Sequence, residues 1–157
     1  MLTVDIRRDY TQGYIPNDTL LSRWANSAYV GDMPGEVSIL VTDTEQTQTL
    51  NNRYRHQNQP TNVLSFPAEL DAIDGLKHLG DIVLCAPYIE REAQQQGKPN
   101  AHHWAHLTIH GMLHLQGYDH ITESDALHME TLESTLLATL SIPDPYQPST
   151  NQPSTSD

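Results

Sequence analysis

Leu79-Gly80-Asp81-Ile82-Val83-Leu84-Cys85 is the stretch on which the fold turns. The apolar run Ile82 to Ala86 is the longest in the chain and is strand-sized, so it reads as a strand buried on both faces. Upstream of it the patterns are mixed. Thr61 to Phe66 reads as another strand, and the polar segment Pro67 to His78 between the two reads as a long loop of the kind that borders a site. Earlier still, Gly35 precedes a β-rich stretch from Glu36 to Thr42, and residues 2–7 alternate Leu2, Val4 and Ile6 with polar neighbours, as a half-buried strand does. Two helices are expected among these strands. One is capped by Asn17 or Asp18 with a stripe of Leu20, Leu21, Trp24 and Ala28, and the other runs from a cap at Thr42 to Thr44 to about Tyr54. Downstream of Pro87 the spacing is helical. Tyr88 to Gln96 is stopped by Gly97 and Pro99, and Asn100 caps a helix to about Gln116. Thr122, with Asp125 three residues on, opens a third helix that carries Leu127, Leu132, Leu136 and Leu140. A βαββ-like order followed by helices gives an α+β fold around a small mixed sheet.

At 157 residues the chain has the length of a single domain. Residues 1–142 are expected to form it, and residues 143–157, rich in Pro, Ser, Thr, Gln and Asn, read as a disordered polar tail. No apolar run approaches the roughly 18 residues of a membrane span. The polar amino terminus has no signal-peptide core, and the lone Cys85 cannot form an internal disulfide, so a cytoplasmic location is expected. Eight Lys and Arg against twenty Asp and Glu leave a net charge of −12, which repels nucleic acid and anionic membrane at long range. All eight basic residues precede residue 99, whereas six of the nine histidines fall between His102 and His120.

That crowd of imidazoles contains the segment His110-Gly-Met-Leu-His114-Leu-Gln-Gly117-Tyr-Asp-His120. Two histidines four apart on a helix stand one turn above each other and can reach one ion. Gly117 is placed to stop the helix in a left-handed conformation, and the reversal lets His120 swing back. Three neutral imidazoles and an open position suit a catalytic zinc, whose undiminished charge acidifies a bound water. His102, His103 and His106 are read as surface or supporting residues, His128 as a surface residue and Met129 as core. The same His/Gly spacing occurs in metzincin proteases, which place a glutamate base directly after the first histidine. Here that position is Gly111, so a peptidase would lack its base.

The chain resembles the YbeY family of bacterial zinc-dependent endoribonucleases. The resemblance rests on His110-Gly-x-Leu-His114-Leu-x-Gly117-Tyr118-Asp119-His120, on Leu50-Asn51-x-x-Tyr54-Arg55, on Thr61-Asn62-Val63-Leu64-Ser65-Phe66-Pro67, and on Gly80-Asp81-Ile82. The resemblance covers about Leu2 to Leu140. The resemblance implies a small, mostly parallel sheet packed with helices, with the metal site at the end of a helix in the carboxy-terminal half. It implies one zinc ion (Zn2+) held by His110, His114 and His120, and Arg55 as the catalytic arginine facing a phosphodiester. It also implies RNA, specifically rRNA, as substrate and the small ribosomal subunit with its proteins as partner. Asp81 either orients a ligand or caps a turn, and Ser65 and Asn62 either line the groove or serve strand packing. RNA contact is expected through the zinc and a local patch of Arg53 and Arg55, with Arg7 and Arg8 as further candidates. Two other readings fit parts of the sequence: a metal-dependent hydrolase of peptides or small molecules, and a non-catalytic ribosome-assembly factor with structural zinc.

Overall fold

The structure, a computed structural model, describes residues 1–68, 72–119 and 121–146. Its elements in chain order are β1 (Leu2–Arg8), α1 (Asp18–Ser27), β2 (Gly35–Thr42), α2 (Thr44–Arg55), β3 (Val63–Pro67), β4 (Ala72–Ile73), β5 (Leu76–Cys85), α3 (Ala86–Gln96), α4 (Asn100–Leu115) and α5 (Glu123–Thr139). Along the sheet the strands run β1-β2-β5-β3, with the short β4 also paired to β5. β1, β2 and β5 are parallel, and β3 is antiparallel to β5. The mixed, mostly parallel sheet of an α+β fold is therefore present. The buried run Ile82–Cys85 belongs to β5, flanked on both sides by partner strands, which accounts for its continuous apolar character.

Alternation divides the sheet into two faces. Val37, Ile39, Val41, Ile82 and Leu84 point into the core with α1 and α4, where Leu21, Trp24, Trp104, Ile109, Met112 and Leu113 are buried. α4 touches α1, α3, α5, β3 and β5, so every residue from His103 to Ile109 is buried. A helix enclosed on all sides shows little amphipathic contrast, and only His102, His110 and His114 among its histidines keep appreciable exposure. On the other sheet face, Asp5, Arg7, Ser38, Leu40, Phe66, Asp81 and Val83 line a separate cavity of about 570 Å³ beside Leu50 and Tyr54 of α2. Among the described residues no helix is long and apolar enough to cross a membrane.

Caps follow local chemistry. Asn17 accepts from the Leu20 amide, Asp43 from Gln46, and Thr122 from Asp125 at 3.0 Å, as its capping pattern predicts. Four expectations need correction. The segment Pro67 to His78 is not wholly loop. Asp74 and Gly75 take positive φ in a two-residue turn that pairs β4 with the start of β5, while residues 69–71 lie outside the described residues. α4 is preceded by Pro99 rather than capped by Asn100, since Pro fixes the entry and gives up no needed donor. On α5 the buried stripe is Met129, Glu133 and Leu137, four apart, leaving Leu127 67% exposed. Residues 143–146, expected in the tail, lie against α5: Asp144 accepts from Ser134 Oγ at 2.7 Å and from the Tyr146 amide at 2.9 Å. The remainder of that expected tail, 147–157, is outside the described residues.

Candidate metal centre and groove

α4 carries His110 and His114 on one face, and their rings lie 6.3 Å apart and 7° from parallel. The helix ends as the sequence anticipates. Gly117 has φ +101°, its amide donates to the His114 carbonyl, and the Tyr118 amide reaches back to Leu113. Those two bonds form a Schellman closure that turns the chain after one tight residue. His120, three residues beyond, lies outside the described residues. Among the described residues no three His, Cys, Asp or Glu side chains cluster closely enough to hold a metal. Two stacked imidazoles on consecutive turns nevertheless fit a divalent cation by their donor chemistry, because neutral ring nitrogens are ordinary zinc donors.

Gly111, where a metzincin has its glutamate, is explained by packing. A Cβ there would stand 3.0 Å from Ile82 Cγ2, so at this position α4 presses on β5. Any side chain there would need Ile82 to give way by a few tenths of an ångström.

Arg55 ends α2, where His56 takes the left-handed conformation at φ 59°. Its guanidinium donates to the Ser65 carbonyl of β3 and sits 5.6 Å from the centroid of the Phe66 ring. This docking brings Arg55 into a groove of about 390 Å³ that His110 and His114 also line, together with Asn51, Gln59, Ser65 and Tyr88. Among the described residues, no Asp or Glu lines it. Ser65 is buried and donates to the Gly111 carbonyl at 3.4 Å, tying β3 to α4, while Asn62 donates to Glu92. Arg7 and Arg8 do not join Arg55. They sit on β1, the far edge of the sheet from β3, where Arg7 pairs with Asp9 and Arg8 with Asp18. Three strand spacings, about 14 Å, separate the two edges. Asp81 lines the cavity on the opposite sheet face, where burial raises its pKa, and so it is not a carboxylate of the histidine site.

Sequence reasoning missed Glu133 and Tyr146. Glu133 is fully buried on α5, and its Oε2 accepts from His110 Nδ1 at 2.5 Å. Its Oε1 meets His106 Nε2 at 2.9 Å and accepts the Tyr146 hydroxyl. Burial alone would raise the Glu133 pKa, but donation from His106 and His110 brings it down to about 2. Burial and the neighbouring carboxylate push the Tyr146 phenol well above its ordinary range. The available signal was a glutamate four residues from both Met129 and Leu137, a charge placed in an apolar stripe. His106 is thereby a supporting residue. His103 is buried as well, its Nε2 2.9 Å from Glu92, whereas His128 is exposed beside Tyr118.

A family model described as endoribonuclease YbeY matches residues 17–141. A curated relative named endoribonuclease YbeY from Alcanivorax borkumensis is 45% identical over 154 residues, covering 93% of this chain and 87% of that protein. Another of the same name from Pseudomonas entomophila is 47% identical over 148 residues, covering 93% and 94%. The solution structure of TM1509 from Thermotoga maritima is similar in fold, with a TM-score of 0.55, 21% identity and coverage of 90% of this chain and 92% of that one.

Proposed function

This chain belongs to the endoribonuclease YbeY family, and from that premise we propose that it is a zinc-dependent endoribonuclease preferring single-stranded RNA. On this reading it works in the cytoplasm at the small ribosomal subunit, in maturation of the 16S rRNA 3′ end and in ribosome quality control. The observation that carries the reading is the shared groove of Arg55, His110 and His114. Tyr88, an aromatic side chain of the kind on which unpaired bases stack, also lines it.

His110, His114 and His120 would hold the zinc through ring nitrogens. When bound, such an ion supplies Lewis acidity to a phosphate oxygen and lowers the pKa of a coordinated water. The rest falls to the chain itself. Arg55 spends one donor on the Ser65 carbonyl, which fixes the plane of its guanidinium. The remaining donors match two non-bridging phosphate oxygens and stabilise the negative charge that grows on phosphorus as the nucleophile adds. The nucleophile is water or the ribose 2′-hydroxyl. Products ending in 2′,3′-cyclic phosphate identify the second route, and 3′-hydroxyl with 5′-phosphate ends identify the first.

The test is cleavage of a single-stranded RNA by the purified full chain with and without stoichiometric zinc. Cleavage should require the metal and fall about 10²- to 10³-fold in Arg55→Ala, the usual consequence of losing a transition-state donor. Peptide hydrolysis surviving Arg55→Ala, without RNA cleavage, would overturn the reading in favour of a general hydrolase. RNA binding without cleavage, with loss of the fold in His114→Ala, would favour the structural-zinc assembly factor.

A further inference from the structure

We infer that Glu133, with Tyr146 behind it, is a positioning residue that holds the His110 ring with its proton on Nδ1 and its lone pair on Nε2, the tautomer a cation ligand needs. This rests on the zinc reading of the groove but concerns residues that reading does not use. Glu133 has no solvent exposure and lies between Met129 and Leu137 on the inner face of α5. A leucine would satisfy that stripe as far as packing is concerned. The carboxylate is explained by what it accepts. Oε2 takes His110 Nδ1, and Oε1 takes His106 Nε2 and the Tyr146 hydroxyl. An ionised carboxylate is acceptor-only, so each of these partners must donate.

For His110 that requirement decides the tautomer. The proton is on Nδ1, and in the neutral ring the lone pair is then on Nε2, the form a metal-binding imidazole takes. For His106 it decides the opposite. The proton is on Nε2, and Nδ1 is buried with no hydrogen-bond partner among the described residues. One carboxylate therefore gives two neighbouring histidines of α4 opposite tautomers, one suited to bind a cation and one to serve as a fixed donor.

Tyr146 completes the arrangement from the carboxy-terminal side. Asp144 anchors the segment by accepting from Ser134 and from the Tyr146 amide, which sets the phenol over Glu133. The phenol also lies 3.0 Å from His106 Nε2, closing a triangle around Oε1. With Oε1 so occupied, Oε2 is reserved for His110.

The test uses full-length protein labelled with ¹⁵N at histidine. In the metal-free wild type, long-range ¹H–¹⁵N correlation should show His110 protonated on Nδ1 and His106 on Nε2. Glu133→Gln, which can turn an amide donor toward His110, should move the His110 proton to Nε2. It should also weaken zinc, measured by competition with a chromophoric chelator, by about 10- to 100-fold, the usual cost of losing an outer carboxylate. Tyr146→Phe, at a partly exposed position, should weaken zinc less and leave the His110 tautomer unchanged, and it serves where Glu133→Gln does not fold. Wild-type His110 protonated on Nε2, or zinc affinity within twofold of wild type in both folded variants, would overturn the inference. A wild type that binds no zinc would overturn the zinc reading instead, and the metal-free spectrum would still decide the tautomer.

Discussion

On the proposed reading, Arg55 acts through the shape of its head group as much as its charge. The guanidinium is held by the Ser65 carbonyl and rests against Phe66, so its remaining donors have a fixed direction. A lysine would keep the charge but lose the fork and the stacking. Arg55→Lys should therefore recover little of the 10²- to 10³-fold loss expected for Arg55→Ala, measured as kcat/KM on a short RNA. His103 supports a prediction about stability. Burial lowers its pKa from 6.5, opposed by the hydrogen bond and charge of Glu92 and reinforced by Lys98 and His106. The folded state thus binds this proton less readily than the unfolded state, and stability must fall as pH drops below 6.5. Urea midpoints at pH 7.5 and 5.5 should show that fall in the wild type. His103→Gln, whose amide can still donate to Glu92, should show a smaller one.

Among the elements, β5 and α4 set the geometry of everything else. Their close approach depends on Gly111, and the irregular pairing at the start of β5 depends on Gly80. Gly80 has φ +130°, and a Cβ there would lie 2.2 Å from the Phe66 carbonyl oxygen and 2.8 Å from the Ala68 amide nitrogen. Backbone atoms on paired strands cannot yield as a side chain tip can. Gly80→Ala should cost about 3 kcal/mol or more, from backbone strain added to overpacking, and lower the denaturant midpoint accordingly. An unchanged midpoint would mean that β3 and β5 can separate there. The type of each helix was legible from spacing and caps, because those are local. The inner face of α5 was not. Leu132, Leu136 and Leu140 do pack partly buried against the core, but the fully buried positions are Met129, Glu133 and Leu137, and Glu133 meets His106 and His110 of α4.

For the molecule as a whole, the net charge of −12 and the sheet order together limit how RNA is held. Arg7 and Arg8 pair with acids on the far edge, and of the two arginines in the last turn of α2, Arg55 lines the groove. Each phosphate neutralised on a single strand contributes about −0.7 to the slope of log affinity against log salt, so a slope of about −1 to −2 is expected. Fluorescence anisotropy of a labelled RNA between low and moderate salt measures it. A steep slope, like that of a lysine-rich protein, would contradict the proposed grip through few phosphate contacts.

The amino-acid sequence by itself determined the fold class, the caps of α1 and α5, the reversal at Gly117 and the pairing of His110 with His114. Each of those follows from interactions within a few residues, where side-chain period, φ preference and capping chemistry act directly. Only the tertiary structure decided that Arg55 shares a groove with the two histidines while Asp81, Arg7 and Arg8 do not. It also revealed that a glutamate and a tyrosine from the end of the chain stand behind His110. Those outcomes depend on strand order and on which way each helix faces when packed. Such choices are made by burial and hydrogen-bond satisfaction over the whole core, across separations that no local pattern records.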